Sequence, residues 1–300
     1  MNIYQISEIA SWLFLFYGII ICSGYTVAAI FSFLEIRDYK RKNNFQAEFA
    51  LLQSSSLPSI SILAPAFNEE ANVVENVRSL LTLNYPSYEI VIINDGSKDG
   101  TLDTLLNTFN MQKEEFLYHP FIPSKAVKGV YKSKNETYKN LTVIDKENGG
   151  KADALNTGIN VCDNEIICCI DVDCILENDA LLKLVKPFLN NTKKVIASGG
   201  IIRVANSCVI EDGRILDIKL PDTFLARAQI IEYFRAFLMG RMAWSRLDGL
   251  LLISGAFGMF DKDTVIKAGG YNPDTVGEDM ELLVRMRKEM REKKIPYSVG

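Results

Sequence analysis

Residues 59–97 read SISILAPAFNEEANVVENVRSLLTLNYPSYEIVIINDGS, and this stretch decides the fold. SISILAPAF (59–67) is a short β-branched run, and YEIVIINDGS (88–97) is a second apolar run that ends in turn residues. Residues 68–86 have the apolar spacing of a helix, for which Asn68 is the predicted N-cap. Strand, helix and strand at this spacing form a βαβ unit, so we predict a parallel sheet.

The alternation of strands and helices continues to about residue 200. Further strands are predicted over 138–148 and 165–173, and further helices over 101–112, 151–162 and 178–190. Residues 112–139 are rich in charge and weakly periodic, which predicts an insertion or a mobile loop.

The N-terminal region predicts a membrane anchor. Residues 9–34 carry no charged side chain, and 26 such residues are enough to cross a hydrocarbon core of about 30 Å. The basic run RDYKRK follows, whereas Glu8 is the only charged residue before the apolar stretch, so the positive-inside rule places everything after Arg37 in the cytosol. We therefore predict a single span in the cell membrane over 1–36, a basic to Ser-rich linker over 37–57, and a cytosolic domain over 58–300.

Residues 224–244 form a long apolar stripe interrupted by Arg227, Arg235 and Arg241. Two interpretations stay open: an amphipathic helix at the membrane surface, or a helix packed on the sheet.

Composition excludes several classes of function. The chain has a formal net charge of -4 and no long basic block, which argues against nucleic acid as a partner. The single histidine, His119, is predicted to lie in an exposed loop, which argues against histidine catalysis and zinc sites. Six cysteines without a C-x-x-C pair are predicted to be free thiols.

Asp171 and Asp173 end the predicted strand EIICCIDVD (165–173). In an extended strand these two side chains point to the same side, at the edge of a parallel sheet where ligands bind. Two carboxylates at ~5 Å repel by about 3 kcal/mol at an effective dielectric constant of 20, a cost that a divalent cation removes. Oxygen ligands favour Mg²⁺ or Mn²⁺, with Cys174 as a bystander.

Three further motifs lie at predicted strand ends or helix starts. Glu69 and Asp95 follow the first two strands, where they either contact a ligand or stabilise a turn or helix start. NGGKADALN (148–156) places Lys151 behind two glycines at a helix N-terminus, which suits a diphosphate, although the P-loop spacing is absent. Glu278 and Asp279 begin a helix, either as partners of its dipole or, for Asp279, as a general base.

The motifs PAFNEE, INDGSKDGT, NGGKADALN, IDVDC and TVGEDMEL occur in this order across residues 58–290. Together they resemble the family 2 glycosyltransferases, most of all the membrane-bound branch that includes cellulose, chitin, hyaluronan and poly-N-acetylglucosamine synthases. The resemblance implies an α/β GT-A fold, a Rossmann-like and mostly parallel sheet flanked by helices. It also implies a nucleotide-sugar-binding half over 58–200 and an acceptor and catalytic-base half over 201–300.

The same resemblance implies an inverting glycosyltransferase that uses a nucleotide-sugar, usually a UDP-sugar, and a glycan or lipid-linked acceptor. Asp279 would be the general base, and Asp173, assisted by Asp171, would bind Mg²⁺ or Mn²⁺. The residues implied to hold the nucleotide-sugar are Glu69, Asp95, Lys151 and Asp171. The candidate residues of the acceptor site are Gly255, Phe257, Gly258 and Glu278.

Processive members of this family carry a downstream Q-x-x-R-W motif and further transmembrane helices, which residues 1–300 lack. We therefore expect either a fragment truncated at its C-terminus or a short enzyme with one anchor. Two rival functions are a metal-dependent nucleotidyltransferase and a non-catalytic membrane subunit. The first would need a glycine-rich, arginine-containing phosphate loop where PAFNEE stands, and the second has no need of clustered acids at a sheet edge. The sequence does not identify the sugar, the acceptor or a partner subunit.

Overall fold

The computed structural model describes residues 3–42, 57–116, 120–189, 193–205, 207–211 and 214–300. His119 and most of the predicted linker lie outside the described residues. The described helices are α1 (Ile3–Lys42), α2 (Val73–Leu81), α3 (Thr101–Thr108), α4 (Lys151–Val161), α5 (Ala180–Val185), α6 (Phe224–Phe234), a π-helix (Arg235–Arg241), α7 (Met242–Arg246), α8 (Lys262–Lys267) and α9 (Glu278–Glu292), with 3₁₀ turns at Glu136–Tyr138 and Lys186–Leu189. The described strands are β1 (Ile60–Ala66), β2 (Tyr88–Asn94), β3 (Met111–Glu114), β4 (Val127–Ser133), β5 (Leu141–Lys146), β6 (Ile166–Ile170), β7 (Lys194–Gly199), β8 (Val209–Glu211), β9 (Arg214–Asp217), β10 (Phe257–Asp261) and β11 (Tyr297–Val299).

Within the described residues, nine strands form one sheet in the order β11-β7-β10-β6-β1-β2-β5-β4-β3. The central strands β6, β1, β2 and β5 are parallel neighbours, as the βαβ pattern predicts. Strands β10 and β4 run antiparallel to both of their neighbours, so four of the eight strand pairs in this sheet are parallel and the sheet is mixed. The carboxyl ends of the four central strands therefore meet at one edge of the sheet.

Both faces of the sheet are covered by apolar side chains. Ile60, Ile62 and Ala64 of β1 face one core, and Leu63 faces the other, because successive side chains of a strand point to opposite sides. Both cores are fully buried at these positions, which explains why the strands read as continuous apolar runs.

Of the two interpretations of residues 112–139, the mobile loop is wrong for much of this range, and the insertion stays a prediction. Strands β3 and β4 pair antiparallel here, and β4 extends the sheet beyond β5. Their charged side chains lie on the outer part of the sheet, where most residues are at least partly exposed, so the sequence lacks the apolar run of a central strand.

Helix α1 is long and apolar enough to cross a membrane, with a mean hydropathy of 2.0 over its best window, and it fits a membrane anchor. It continues to Lys42, six residues beyond the predicted end of the membrane segment. Its C-terminal part packs against the π-helix and α7. Ser32 donates a hydrogen bond to the Leu238 carbonyl, and Arg246 pairs with Glu35 and Asp38 at 3.1 and 3.0 Å.

Helix α6 has no buried residue, and Phe224 and Leu225 are more than three-quarters exposed. Residues 235–246 pack against the C-terminal part of α1, whereas α6 contacts the π-helix and is largely exposed. The absence of buried residues in α6 argues against a helix packed on the sheet, and a position at the membrane surface stays a prediction.

Candidate active site

The loops after the central strands bring the predicted charged residues to one edge of the sheet. Glu69, Asp95, Lys151 and Asp171 follow β1, β2, β5 and β6 respectively. Phe257 of the antiparallel strand β10 pairs with Ile170, so the residues just before β10 reach the same edge. The first turn of α9 joins them there, because the carboxylate of Asp279 lies against Gly255.

Asp171 and Asp173 come together, but in a turn rather than in an extended strand. Strand β6 ends at Ile170, and the Cys174 amide donates a 3.0 Å hydrogen bond to the Asp171 carbonyl, which closes the turn. Val172 at the middle of this turn is buried and anchors the turn to the core. The predicted strand was too long because the apolar run continues through Val172 after the backbone has left the sheet.

The donor atoms of Asp171, Asp173 and Cys174 lie within 4.8 Å of one another. Burial, together with the two aspartates, raises the pKa of the Cys174 thiol to about 11, so the sulfur stays protonated and is a poor ligand. Two carboxylates that are accessible at the end of a strand fit a hard divalent cation such as Mg²⁺ or Mn²⁺.

Lys151 begins α4 directly after Gly150, whose φ of +84° is one that glycine adopts without strain. Its Nζ lies 2.5 Å from Asp171 Oδ1 and donates a 3.2 Å hydrogen bond to the Gly255 carbonyl. Burial opposes the charged form of Lys151, but Asp171, Asp279 and Glu278 outweigh it, so its pKa is raised. Lys151 is therefore a fixed cation between the aspartate turn and the loop before β10.

Asp95 is 3% exposed, and its carboxylate is occupied by protein donors. It accepts from Lys146 Nζ at 2.6 Å and from the amides of Gly149 and Gly150 at 3.0 and 2.8 Å. Lys146 is fully buried and also pairs with Asp153 at 2.6 Å. A contact of Asp95 with a nucleoside stays a prediction, whereas its visible contacts hold the glycine loop that precedes Lys151.

Lys146 and Asp153 were not predicted from the sequence as residues of this region. A lysine at the end of a strand is expected to be exposed, and an aspartate in the first turn of a helix is an ordinary dipole partner. Nothing in their spacing signals that they meet Asp95 in the interior.

The loops after β1 and β2 are joined by hydrogen bonds. Asn68 has a φ of +56° and does not cap α2, which begins five residues later at Val73. Its side chain instead accepts from the Lys98 amide at 2.9 Å, and the Glu69 amide donates to Thr101 Oγ1 at 2.9 Å. The Glu69 carboxylate is half-buried and has no hydrogen-bond partner among the described residues. It is thus open to a ligand, and its contact with a nucleoside stays a prediction.

Asp279 is the second residue of α9, which begins after Gly277 with a φ of +96°. Its Oδ1 is buried and has no hydrogen-bond partner in the described part of the chain. Burial raises the pKa of Asp279 to about 6, helped by Glu278 and Asp171 and opposed by Lys151. A carboxylate with an open lone pair and this pKa is ionised at neutral pH and still basic enough to accept a proton.

The four predicted acceptor residues separate into two groups. Gly255 and Glu278 lie beside Asp279, and a Cβ on Gly255 would collide with the Asp279 carboxylate. Phe257 and Gly258 lie inside β10, where Phe257 packs in the core and Gly258 pairs with Cys169 and Gly199. The structure brings only the first two to the candidate site, and a role in acceptor binding stays a prediction for all four.

Comparison with known proteins identifies related chains. The chain is 27% identical over 267 residues to the poly-beta-1,6-N-acetyl-D-glucosamine synthase of Staphylococcus epidermidis. The matched residues cover 89% of this chain and 54% of the relative. It is 28% identical over 285 residues to the synthase of the same name from Staphylococcus aureus, with 94% and 57% covered. The chain thus spans about half the length of the curated relatives it matches.

Among solved structures, the mannosyltransferase PcManGT from Pyrobaculum calidifontis, in complex with GDP-Man and Mn²⁺, has a TM-score of 0.52 over 92% of this chain and 66% of that chain. The sequences are 16% identical, so the likeness concerns the fold alone, and it confirms the predicted GT-A fold. The model of the family named "Glycosyl transferase family 2" matches residues 61–120 and 125–246, which is more than half of the chain. The chain therefore belongs to glycosyl transferase family 2.

Proposed function

We propose that this chain is the sugar-transferring part of a membrane-bound, divalent-metal-dependent, inverting glycosyltransferase that builds a polysaccharide. The observation that carries the proposal is the meeting of Asp171, Asp173, Lys151 and Asp279 at one sheet edge. This set combines a place for a cation, a fixed ammonium for an anion and a carboxylate able to accept a proton. The names of the staphylococcal relatives support N-acetylglucosamine as the sugar, and we propose UDP as its carrier.

The donor's diphosphate would lie between the aspartate turn and Lys151. Asp171 and Asp173 would hold Mg²⁺ or Mn²⁺, and the Mn²⁺ complex of the archaeal mannosyltransferase supports this choice. When bound, the cation would supply positive charge to the leaving diphosphate. Lys151 faces Asp171, so its ammonium would orient the diphosphate from the side opposite the aspartate turn.

Asp279 would act as the general base toward the acceptor. As the acceptor oxygen forms a bond to the anomeric carbon, the bond from that carbon to the diphosphate breaks, and the hydroxyl proton passes to Oδ1 of Asp279. Attack from the side opposite the leaving group inverts the configuration at the anomeric carbon. The buried and unpartnered Oδ1 is suited to this role because no protein donor competes for its lone pair.

Helix α1 would anchor the enzyme in the cell membrane, with the sheet domain in the cytosol. The basic run 37–42 at the end of α1 supports this orientation. The packing of α1 on the π-helix and α7 supports a site that would lie close to the membrane surface, where a glycan or lipid-linked acceptor would be extended.

The test is sugar transfer by the detergent-solubilised chain, with radiolabelled UDP-N-acetylglucosamine, Mn²⁺ and a short acceptor glycan. Asp279→Asn should lower transfer at least about 1,000-fold while UDP binding changes less than about 3-fold, because only proton acceptance is lost. Asp263→Asn is the matched control, since Asp263 is an exposed aspartate in the first turn of another helix, α8. Full sugar transfer by Asp279→Asn would contradict the assignment of Asp279 as the general base. Absence of sugar transfer from any nucleotide-sugar by the wild-type chain would contradict the proposed function.

A further inference from the structure

The exposed apolar side chains of the sheet domain are concentrated in one short segment. Outside α1, eight large apolar side chains among the described residues are at least 60% exposed, and six of them lie between residues 216 and 231. These six, named here the apolar surface, are Leu216, Ile218, Leu220, Phe224, Leu225 and Ile231, and the other two are Phe121 and Val276. Soluble proteins rarely expose a large group of apolar side chains to water, so this surface indicates a partner.

The apolar surface begins in the β8–β9 hairpin and continues into α6. Strand β9 pairs with β8 in a two-stranded sheet that is separate from the nine-stranded sheet. Residues 215–220 are all exposed, and α6 has no buried residue. No described residue of 215–231 belongs to either core of the sheet. The large apolar side chains of this segment are therefore not explained by packing within the described part of the chain.

The contacts of α1 fix the level of this segment along the anchor. Ser32, which donates a hydrogen bond to the Leu238 carbonyl, lies in the last turn of the charge-free stretch of α1. Arg246 pairs with Glu35 and Asp38, which lie just beyond that stretch. From Arg246 back to Leu238, the chain therefore moves from the charged end of α1 toward its apolar part. Helix α6 runs into the π-helix without a break, so it continues from Leu238 on the side away from Arg246. With α1 across the membrane, Leu238 lies at the level where the hydrocarbon ends, and α6 extends from there.

The charged side chains of α6 have partners within the protein. Glu232 accepts a 2.8 Å hydrogen bond from Arg235 Nε, and Arg227 Nε donates a 2.7 Å hydrogen bond to the Pro221 carbonyl. A paired charge is less costly to bring near an apolar medium than an unpaired one, and arginine can keep its head group in water while its stem lies against apolar chains. The charges of α6 are therefore compatible with a lipid interface.

We propose that the apolar surface inserts into the membrane boundary at the C-terminal end of α1, where lipid acyl chains cover it as a second membrane contact. Lipid is favoured over another protein because the surface continues into a π-helix that packs directly on the anchor. A single helix would leave the sheet domain free to rotate about the anchor, whereas a second contact fixes which side of the domain faces the membrane. The inference requires α1 to be the anchor and does not depend on the chemistry of sugar transfer.

The experiment measures quenching of tryptophan fluorescence by brominated acyl chains, with the full chain reconstituted into phosphatidylcholine vesicles. Trp12 of α1, measured in Trp244→Phe, is the standard for a side chain inside the membrane. Leu225→Trp and Ile218→Trp, each combined with Trp12→Phe and Trp244→Phe, report on the apolar surface. Both should be quenched with at least about half of the effect on Trp12, because the apolar face of an interfacial helix lies about 5–10 Å into the boundary of headgroups and acyl chains.

Phe121→Trp in the same background is the matched control, because Phe121 is also exposed but lies outside the apolar surface, where Asn160 of α4 binds its amide. It should show no quenching. Absence of quenching at Leu225→Trp or Ile218→Trp, with Trp12 quenched, would overturn the inference alone, and is expected if a second copy or another protein covers the surface. Equal quenching of Phe121→Trp would also overturn it, because lipid contact would then not distinguish this surface. An unquenched Trp12 would overturn the inference together with the assignment of α1 as the anchor.

Discussion

Helix α4 joins two clusters of carboxylates that have opposite surroundings. On one side, Asp153 and Asp95 hold the fully buried Lys146 at 2.6 Å each. On the other, Lys151 reaches Asp171 in a cluster that is open to solvent. The buried cluster is named here the support triad (Asp95, Lys146, Asp153), and the other the open cluster (Asp171, Asp173, Lys151, Asp279).

The difference between them lies in what remains unsatisfied. In the support triad, Asp95 also accepts from two glycine amides, and Asp153 accepts from the Lys125 amide. In the open cluster, Asp279 Oδ1 has no donor, and Asp173 has no ion pair among the described residues. Buried polar groups are nearly always paired in proteins, so a group left without a partner indicates a ligand or a reaction. The same residue types therefore stabilise the fold in one cluster, whereas in the other they are available for the proposed chemistry.

The largest effect is expected for Lys146→Met in the support triad. Removing the shared cation leaves two buried carboxylates facing each other, which should lower the free energy of unfolding by about 3–5 kcal/mol. Chemical denaturation measures this change. The control is Lys183→Met, because Lys183 also has two carboxylate partners, Glu177 and Asp179 at 2.9 Å, but at the surface. The free energy of unfolding of Lys183→Met should fall by less than about 1 kcal/mol. An equal loss in Lys146→Met and Lys183→Met would show that burial does not distinguish the two sites.

Gly255→Ala should affect the open cluster without affecting the support triad. The new methyl group would occupy the space of the Asp279 carboxylate and displace it, which should lower transfer about 100-fold. UDP affinity should change little, because Asp171 and Asp173 are untouched. Gly24→Ala, at a position with no atom within 4 Å of the added methyl group, is the control. Normal transfer by Gly255→Ala would show that the position of Asp279 is not critical.

The pH dependence should follow Asp279, whose pKa is about 6. A general base must be ionised, so kcat/KM should be level above pH 7 and fall about tenfold for each unit below 6. Stability should change in the opposite direction: the folded chain binds this proton more tightly than the unfolded chain, whose aspartate pKa is near 3.9, so the Asp279 contribution to stability falls as pH rises from 4 to 6. A transfer profile that is flat from pH 7 to 5, with UDP still bound, would contradict the assignment.

The smallest effect is expected for the stability of Asp173→Asn. Asp173 is exposed and has no ion pair among the described residues, so the free energy of unfolding of Asp173→Asn should stay within about 0.5 kcal/mol of the wild-type value. Thermal denaturation without added metal measures this. A loss comparable to that of Lys146→Met would mean that the open cluster also supports the fold.

Much of the fold could be predicted because its central strands are buried on both faces. Residues 60–66 and 88–94 read as apolar runs for this reason, and the βαβ order then requires them to be parallel. Strands β3 and β4 could not be predicted, because pairing at the side of a sheet leaves one face solvated and removes the apolar run.

The candidate site could be predicted where a residue's role depends on its position in the chain. Asp171, Lys151 and Asp279 follow strand ends or begin helices, and the topology alone brings them to one edge. Lys146 escaped prediction because its surroundings come from distant segments, namely Asp95 after β2 and Asp153 in α4. Side-chain contacts across the fold are not encoded in local spacing.

The most direct test of the open cluster as a metal and diphosphate site is a calorimetric titration of UDP into the solubilised chain. It is performed with Mn²⁺, with EDTA, and with Mn²⁺ on Asp173→Asn. We predict that UDP binding requires Mn²⁺ and is at least about 30-fold weaker in folded Asp173→Asn, because a cation held by one carboxylate fewer binds the diphosphate poorly. UDP binding of equal strength under all three conditions would contradict the account, since the paired aspartates would then have no part in holding a cation.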